Sequence, residues 1–144
     1  MQLVMKPVTV IFVDDHPLIR KAWAFILKHD PRFKLVACCE SGEEAIKKSG
    51  ELYPDVVIMD IRLKGISGIE ATRVIRQNCP ETQIVGLSFH SQPRDAQEMI
   101  ENGAIGYLTK LSNPEEIFKA ILEVQQGKSY VCREMEGRLV IAPF

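Results

Sequence analysis

Val56-Val-Ile-Met-Asp-Ile-Arg-Leu-Lys-Gly-Ile-Ser-Gly68 decides the fold. An unbroken apolar run, Val56 to Met59, stops at a carboxylate, Asp60. A short run of this kind bounded by turn residues reads as a strand buried on both faces. Asp60 then stands at its carboxyl end, ahead of a loop loosened by Gly65 and Gly68. In open parallel sheets ligands bind outside the carboxyl ends of strands. An aspartate there is a ligand, a nucleophile or a cap, and the flanking chain has to decide which.

Working outward, the same grammar repeats. Val8 to Val13 is a second buried strand and ends in Asp14 and Asp15. Pro17 suits the first turn of a helix running to about His29, with Leu18, Ala22, Phe25 and Ile26 spaced as its apolar face. Phe33 to Cys38 is a strand. Ser41-Gly-Glu-Glu44 has capping-box spacing and opens a helix that Leu52 and Tyr53 end. Ile69 to Gln77 is helical. Gln83 to Ser88 is a strand ending on a hydroxyl, followed by a helix from Arg94 to Glu101. Ile105 to Thr109 is a strand ending at Lys110, and Asn113-Pro114 caps a helix from Glu115 to Gln126. Five strands alternating with five helices imply an α/β fold, a doubly wound parallel sheet.

Composition narrows the function classes. The chain has 144 residues, 46% of them hydrophobic and 26% charged, as in an ordinary globular domain. A net charge of −1 gives no electrostatic footprint for nucleic acid or an anionic membrane surface. No apolar run approaches the ~20 residues of a membrane span. Cys38, Cys39, Cys79 and Cys132 form no Cys-x-x-Cys pair and read as reduced thiols of a cytoplasmic protein.

The strand ends bring Asp14, Asp15, Asp60, Ser88 and Lys110 to one edge of the sheet. Three crowded carboxylates repel one another and call for a cation. Hard oxygen ligands with room for water suit Mg²⁺. Lys110 and Ser88 could hold the oxygens of a phosphoryl group attached to Asp60, whose ionised carboxylate is already a nucleophile.

These residues in this order (Val13-Asp-Asp-His-Pro17, Met59-Asp60 with Gly68, Leu87-Ser88 and Tyr107-Leu-Thr-Lys110) resemble the receiver domain of two-component response regulators over about Pro7 to Gly127. Asp15-His-Pro-Leu-Ile-Arg20 and Asn113-Pro-Glu-Glu-Ile117 further resemble the subfamily with a LuxR-type helix-turn-helix output domain. The resemblance implies a flavodoxin-like sheet of strand order 2-1-3-4-5. It implies that Asp60 accepts phosphate from a sensor histidine kinase, and that Asp15, Asp60 and the backbone carbonyl of Arg62 bind Mg²⁺ while Asp14 acts through water. Ser88 and Lys110 would contact the phosphoryl group. Tyr107 would report it, with remodelling from about Gln92 to Glu101. Arg62 and His90 would tune the entrance, and His16 would line it. Homodimerisation on phosphorylation follows as an expectation, and DNA would be reached only through the output domain. The family usually has proline four residues after the acceptor, where this chain has Lys64, and often after the lysine, where it has Leu111.

The expected organisation is a receiver domain over residues 1–127 and a linker or C-terminal tail over 128–144. The seventeen residues after Gly127 are too few for a helix-turn-helix, so the chain is expected to be a segment of a longer regulator. Rival readings are weaker. A Mg²⁺-dependent phosphohydrolase would want an acid two residues past its nucleophile, where Arg62 stands. A flavodoxin-like cofactor binder would have its phosphate repelled by Asp14 and Asp15. A receiver-like protein-binding module that is never phosphorylated is the remaining alternative, and intact Asp14, Asp15, Asp60, Ser88 and Lys110 speak against it.

Overall fold

The computed structural model describes residues 6–89 and 93–133. In chain order the elements are β1 (Val8–Val13), α1 (Pro17–Lys28), β2 (Phe33–Cys39), α2 (Gly42–Leu52), β3 (Val56–Asp60), α3 (Gly68–Asn78), β4 (Gln83–Ser88), α4 (Pro93–Glu101), β5 (Gly106–Thr109), α5 (Pro114–Gln125) and β6 (Tyr130–Val131). The strands form one sheet in the order β2-β1-β3-β4-β5-β6, every pair parallel. The expected order 2-1-3-4-5 is there, extended by a short sixth strand in the segment that fits no further strand–helix unit. β1 and β3 carry the centre of the core: Val10, Ile11, Phe12, Val13 and Val56 to Met59 are wholly buried.

Local chemistry sets the helix starts. Pro17 stands in the first turn of α1, where its missing N–H breaks no helical bond. The Ser41 hydroxyl accepts the Glu44 amide at 3.1 Å, and the Asn113 carbonyl oxygen accepts the Glu116 amide at 2.8 Å. α3 starts one residue earlier than expected because Ser67 caps it through the Glu70 amide.

One expectation fails. The apolar face assigned to α1 points outward: Leu18 is 78% and Phe25 64% exposed, while Trp23 and Leu27 are buried. α1 is apolar on two sides, and the side bearing Trp23 wins because the indole stacks on Phe12 at 4.9 Å between ring centroids. A tryptophan removes more apolar area from water than a leucine does, and gains a ring contact besides.

At the amino edge of the sheet β1 and β3 are locked together. Asp55 Oδ2 accepts the Thr9 amide at 2.9 Å and its hydroxyl at 3.1 Å, while the Asp55 amide donates to Thr9 Oγ1 at 2.9 Å. Asp55→Ala is expected to lower stability by about 1–2 kcal/mol, the cost of stranding the half-buried Thr9 donors, as measured by urea denaturation.

Candidate functional site

Register brings the polar strand ends level. Val13 pairs with Met59, Asp60 with Leu87, and Ser88 with Thr109. One residue beyond these pairs come Asp14 and Lys110. Backbone bonds hold the rim: the Ile61 amide donates to the Leu87 carbonyl, and the Lys110 amide to the Ser88 carbonyl at 2.8 Å.

The cluster is buried and charged. Asp14 is wholly buried, Asp60 is 2% exposed and Lys110 8% exposed. Lys110 Nζ lies 2.7 Å from Asp14 Oδ2 and 3.0 Å from Asp60 Oδ2. Asp14, Asp15, His16 and Asp60 each offer one ligand atom within 4.8 Å of the others. Asp14 Oδ2 and Asp15 Oδ1 are buried acceptors that no well-aligned hydrogen bond reaches. The Lys110 ammonium faces the first, and the His16 ring nitrogen stands 3.1 Å from the second. Three carboxylates against one ammonium leave an excess of negative charge that a divalent cation would cancel. The donors are hard oxygens, so the set fits Mg²⁺.

Burial pushes the Asp60 carboxyl up to about 6; the hydrogen bond and charge of Lys110 oppose this, and Asp14 adds to it. The Arg62 amide donates to Asp60 Oδ1 at 3.2 Å. Gly68 allows the backbone to come this close: a Cβ there would sit 1.9 Å from the Asp60 carbonyl oxygen.

A pocket of about 240 Å³ opens onto Asp60, lined also by His16, Arg62, Ser88, Phe89, Asp95 and Lys110. Ser88 Oγ is 2.5 Å from the hydroxyl of Tyr107, whose ring is wholly buried. Of the residues expected to act here, Asp14, Asp15, Asp60, Ser88, Lys110 and Tyr107 are brought together. The Arg62 side chain spans the mouth to Asp95 Oδ2 at 3.2 Å. His90 lies outside the described residues. His16 goes beyond its expected place at the entrance, because its Nδ1 is also 2.9 Å from Asp14 Oδ1.

Sequence reasoning passed over Phe89 and Asp95. The Phe89 ring lies under the Lys110 ammonium, 4.5 Å from its centroid, and edge-on to His16. Asp95 is one helix acid among several, and no local signal aims it at Arg62.

The class so defined is a doubly wound α/β domain with an acidic cluster and a buried lysine at the carboxyl edge of its sheet. Residues 10–122 match the response regulator receiver domain model, and the chain belongs to that family. It is 34% identical over 137 residues to the response regulator GacA of Pseudomonas viridiflava, covering 95% of this chain and 64% of that protein. It is 32% identical over 133 residues to the transcriptional regulatory protein DegU of Brevibacillus brevis, covering 92% of this chain and 56% of that one. The chain therefore spans less than two thirds of the length of these curated relatives. A LuxR-family two-component response regulator from Aurantimonas sp. SI85-9A1 superposes with a TM-score of 0.85 at 34% identity, covering 90% of this chain and 93% of that one. The receiver domain of the putative response regulator NarL of Mycobacterium tuberculosis gives 0.82 at 29% identity, covering 86% and 100%. These relatives place the chain with the LuxR-type subfamily. Receiver domains are signalling domains rather than enzymes in the ordinary sense, and they bind Mg²⁺ at an acidic pocket. Among the described residues no helix is long and apolar enough to cross a membrane.

Proposed function

We propose that this chain is a phosphorylation-dependent switch whose acceptor is Asp60. The observation that carries the reading is the buried Asp60 carboxylate facing Lys110 at 3.0 Å and the Asp14–Asp15 pair at the floor of an open pocket. An oxygen of Asp60 attacks the phosphorus of a phosphohistidine on a sensor kinase. The P–N bond breaks, and its electron pair returns to the imidazole. Lys110 meets the charge gathering on the phosphoryl oxygens, and the Ser88 hydroxyl donates to one of them. Asp15, Asp60 and the Arg62 carbonyl would hold Mg²⁺, with Asp14 acting through water. The ion would neutralise phosphoryl charge. Arg62 tunes access to the pocket through its bridge to Asp95, and His90 is a second candidate for that role.

Phosphorylation then biases a pre-existing equilibrium through Ser88 and Tyr107. Control of transcription is the output that the name of the DegU relative supports; dimerisation in the phosphorylated state, a C-terminal DNA-binding domain and a cytoplasmic location complete this reading by the family resemblance. In this reading residues 1–127 form the receiver and 128–144 the connecting tail, whose first part docks on the receiver sheet as β6.

Intact-mass analysis after acetyl phosphate and Mg²⁺ tests it. One added phosphoryl group is expected, and none in Asp60→Asn or without metal. A folded, Mg²⁺-binding protein that gains nothing from either acetyl phosphate or a phosphorylated kinase would return the chain to the class of unphosphorylated binding modules.

A further inference from the structure

In a five-stranded sheet β5 would be an edge, with a row of unpaired backbone groups. Here β6 covers it. The Tyr130 amide donates to the Ile105 carbonyl at 3.3 Å, and the Cys132 amide to the Tyr107 carbonyl at 2.9 Å. Gly106 makes room, since a Cβ there would meet the Tyr130 carbonyl oxygen at 3.0 Å. Tyr130 and Val131 are half-buried against the core, and Cys132, the residue after the strand, is 1% exposed within it.

A clasp at the start of α5 holds the strand. The Glu116 carboxylate accepts the Tyr130 hydroxyl at 3.0 Å and the Arg133 amide at 3.3 Å. The Glu116 backbone amide in turn donates a hydrogen bond to the side-chain oxygen of Asn113, three residues past Lys110. β6 is thus linked to the pocket by two routes, without lining it. One runs through the β5–α5 loop, and the other through Tyr107, whose carbonyl holds β6 while its hydroxyl holds Ser88.

We infer that β6 is the arm through which the Asp60 pocket passes its state to the chain beyond residue 133, with Tyr107 as the joint. The inference rests on the reading of Asp60 as phosphoacceptor. When the Ser88 hydroxyl donates its proton to a phosphoryl oxygen, Ser88 becomes a better acceptor for the Tyr107 hydroxyl, because chained hydrogen bonds polarise one another. The Tyr107 ring is then pinned inward, β5 is stiffened, and β6 opens less often.

Amide exchange followed by NMR on the full chain, with Mg²⁺ and beryllofluoride as the phosphoryl mimic, tests this. Exchange at the Cys132 amide is expected to slow at least fivefold when the mimic binds, and Tyr107→Phe should abolish the slowing. Coupling between sites is reciprocal. Tyr130→Phe, which removes one of the clasp's two bonds without touching the pocket, should therefore weaken beryllofluoride binding two- to fivefold. An unchanged Cys132 amide beside shifted Asp60 and Arg62 amides overturns the inference and leaves the acceptor reading standing. So does an unchanged mimic affinity in Tyr130→Phe. Amides that respond nowhere remove the acceptor reading and this inference together.

Discussion

Gly68→Ala is expected to destabilise the protein by about 3 kcal/mol or more and to slow phosphoryl acceptance by Asp60 about a hundredfold. The added methyl would stand 1.9 Å from the Asp60 carbonyl oxygen, 2.8 Å from its carbon and 2.9 Å from the Ile61 Cα. All three are backbone atoms, so no side chain can swing aside. The Gly68 amide also donates to the Ile61 carbonyl at 2.8 Å, which ties the start of α3 to the end of β3. Relief requires the helix and the strand end to part. Forced overpacking of this kind exceeds the usual 1–3 kcal/mol when the neighbours cannot yield. A displacement of about 1 Å at a reacting group is enough for the loss in rate. Urea denaturation and a time course of intact mass measure the two effects. Gly50→Ala is the control. That glycine lies exposed within α2, and no atom comes within 4 Å of where its new methyl would stand, so the change should stabilise by up to about 1 kcal/mol.

The contrast between these glycines shows what could be read before the fold was known. Gly68 reads from the sequence as part of the loop after Asp60, and in the structure it opens α3. The reason for a glycine there, contact with the backbone seven to eight residues earlier, exists only once β3 and α3 have packed. The strands were legible because burial on both faces leaves nothing but apolar side chains, and their polar ends announced the site. The orientation of α1 was not. Leu18, Ala22, Phe25 and Ile26 satisfy helical spacing as well as the Trp23–Leu27 side does, and only the docking of Trp23 on Phe12 distinguishes them. The early start of α3 did have a signal, since Ser67-Gly-Ile-Glu70 repeats the spacing of Ser41-Gly-Glu-Glu44. β6 had none: two residues of strand carry no periodicity, and its hold depends on the bare backbone of Gly106 and on the distant Glu116. Phe89 and Asp95 belong with β6, because aromatic–ammonium contact and a bridge between elements are tertiary facts.

Lys110→Met is the second large effect, and its sign changes with pH and metal. In the metal-free protein Lys110 faces two buried carboxylates, at 2.7 Å and 3.0 Å. Methionine keeps much of the volume but leaves both charges without their partner. Breaking a buried ion pair from one side costs about 3–5 kcal/mol. Asp60 supplies the pH dependence. Its carboxyl is raised in the folded protein to about 6, from an ordinary value of 3.8. The folded state therefore holds the proton more tightly than the unfolded chain does. Stability from this group is complete below pH about 4 and is lost as the pH climbs through about 6. Removing Lys110 removes the influence that lowers the Asp60 value, so in the variant the loss extends to higher pH. With EDTA present, the gap between the two proteins should be smaller near pH 5, where Asp60 is protonated, than at pH 8, where its charge adds to that of Asp14. Mg²⁺ should narrow it again, by about 1.4 kcal/mol where its concentration is ten times the variant's Kd and the wild-type site is still empty. Chemical denaturation at three pH values, with and without Mg²⁺, measures all of this. A gap that ignores both pH and metal would mean that Lys110 acts through packing alone, and that its charge does not govern the Asp14–Asp60 pair.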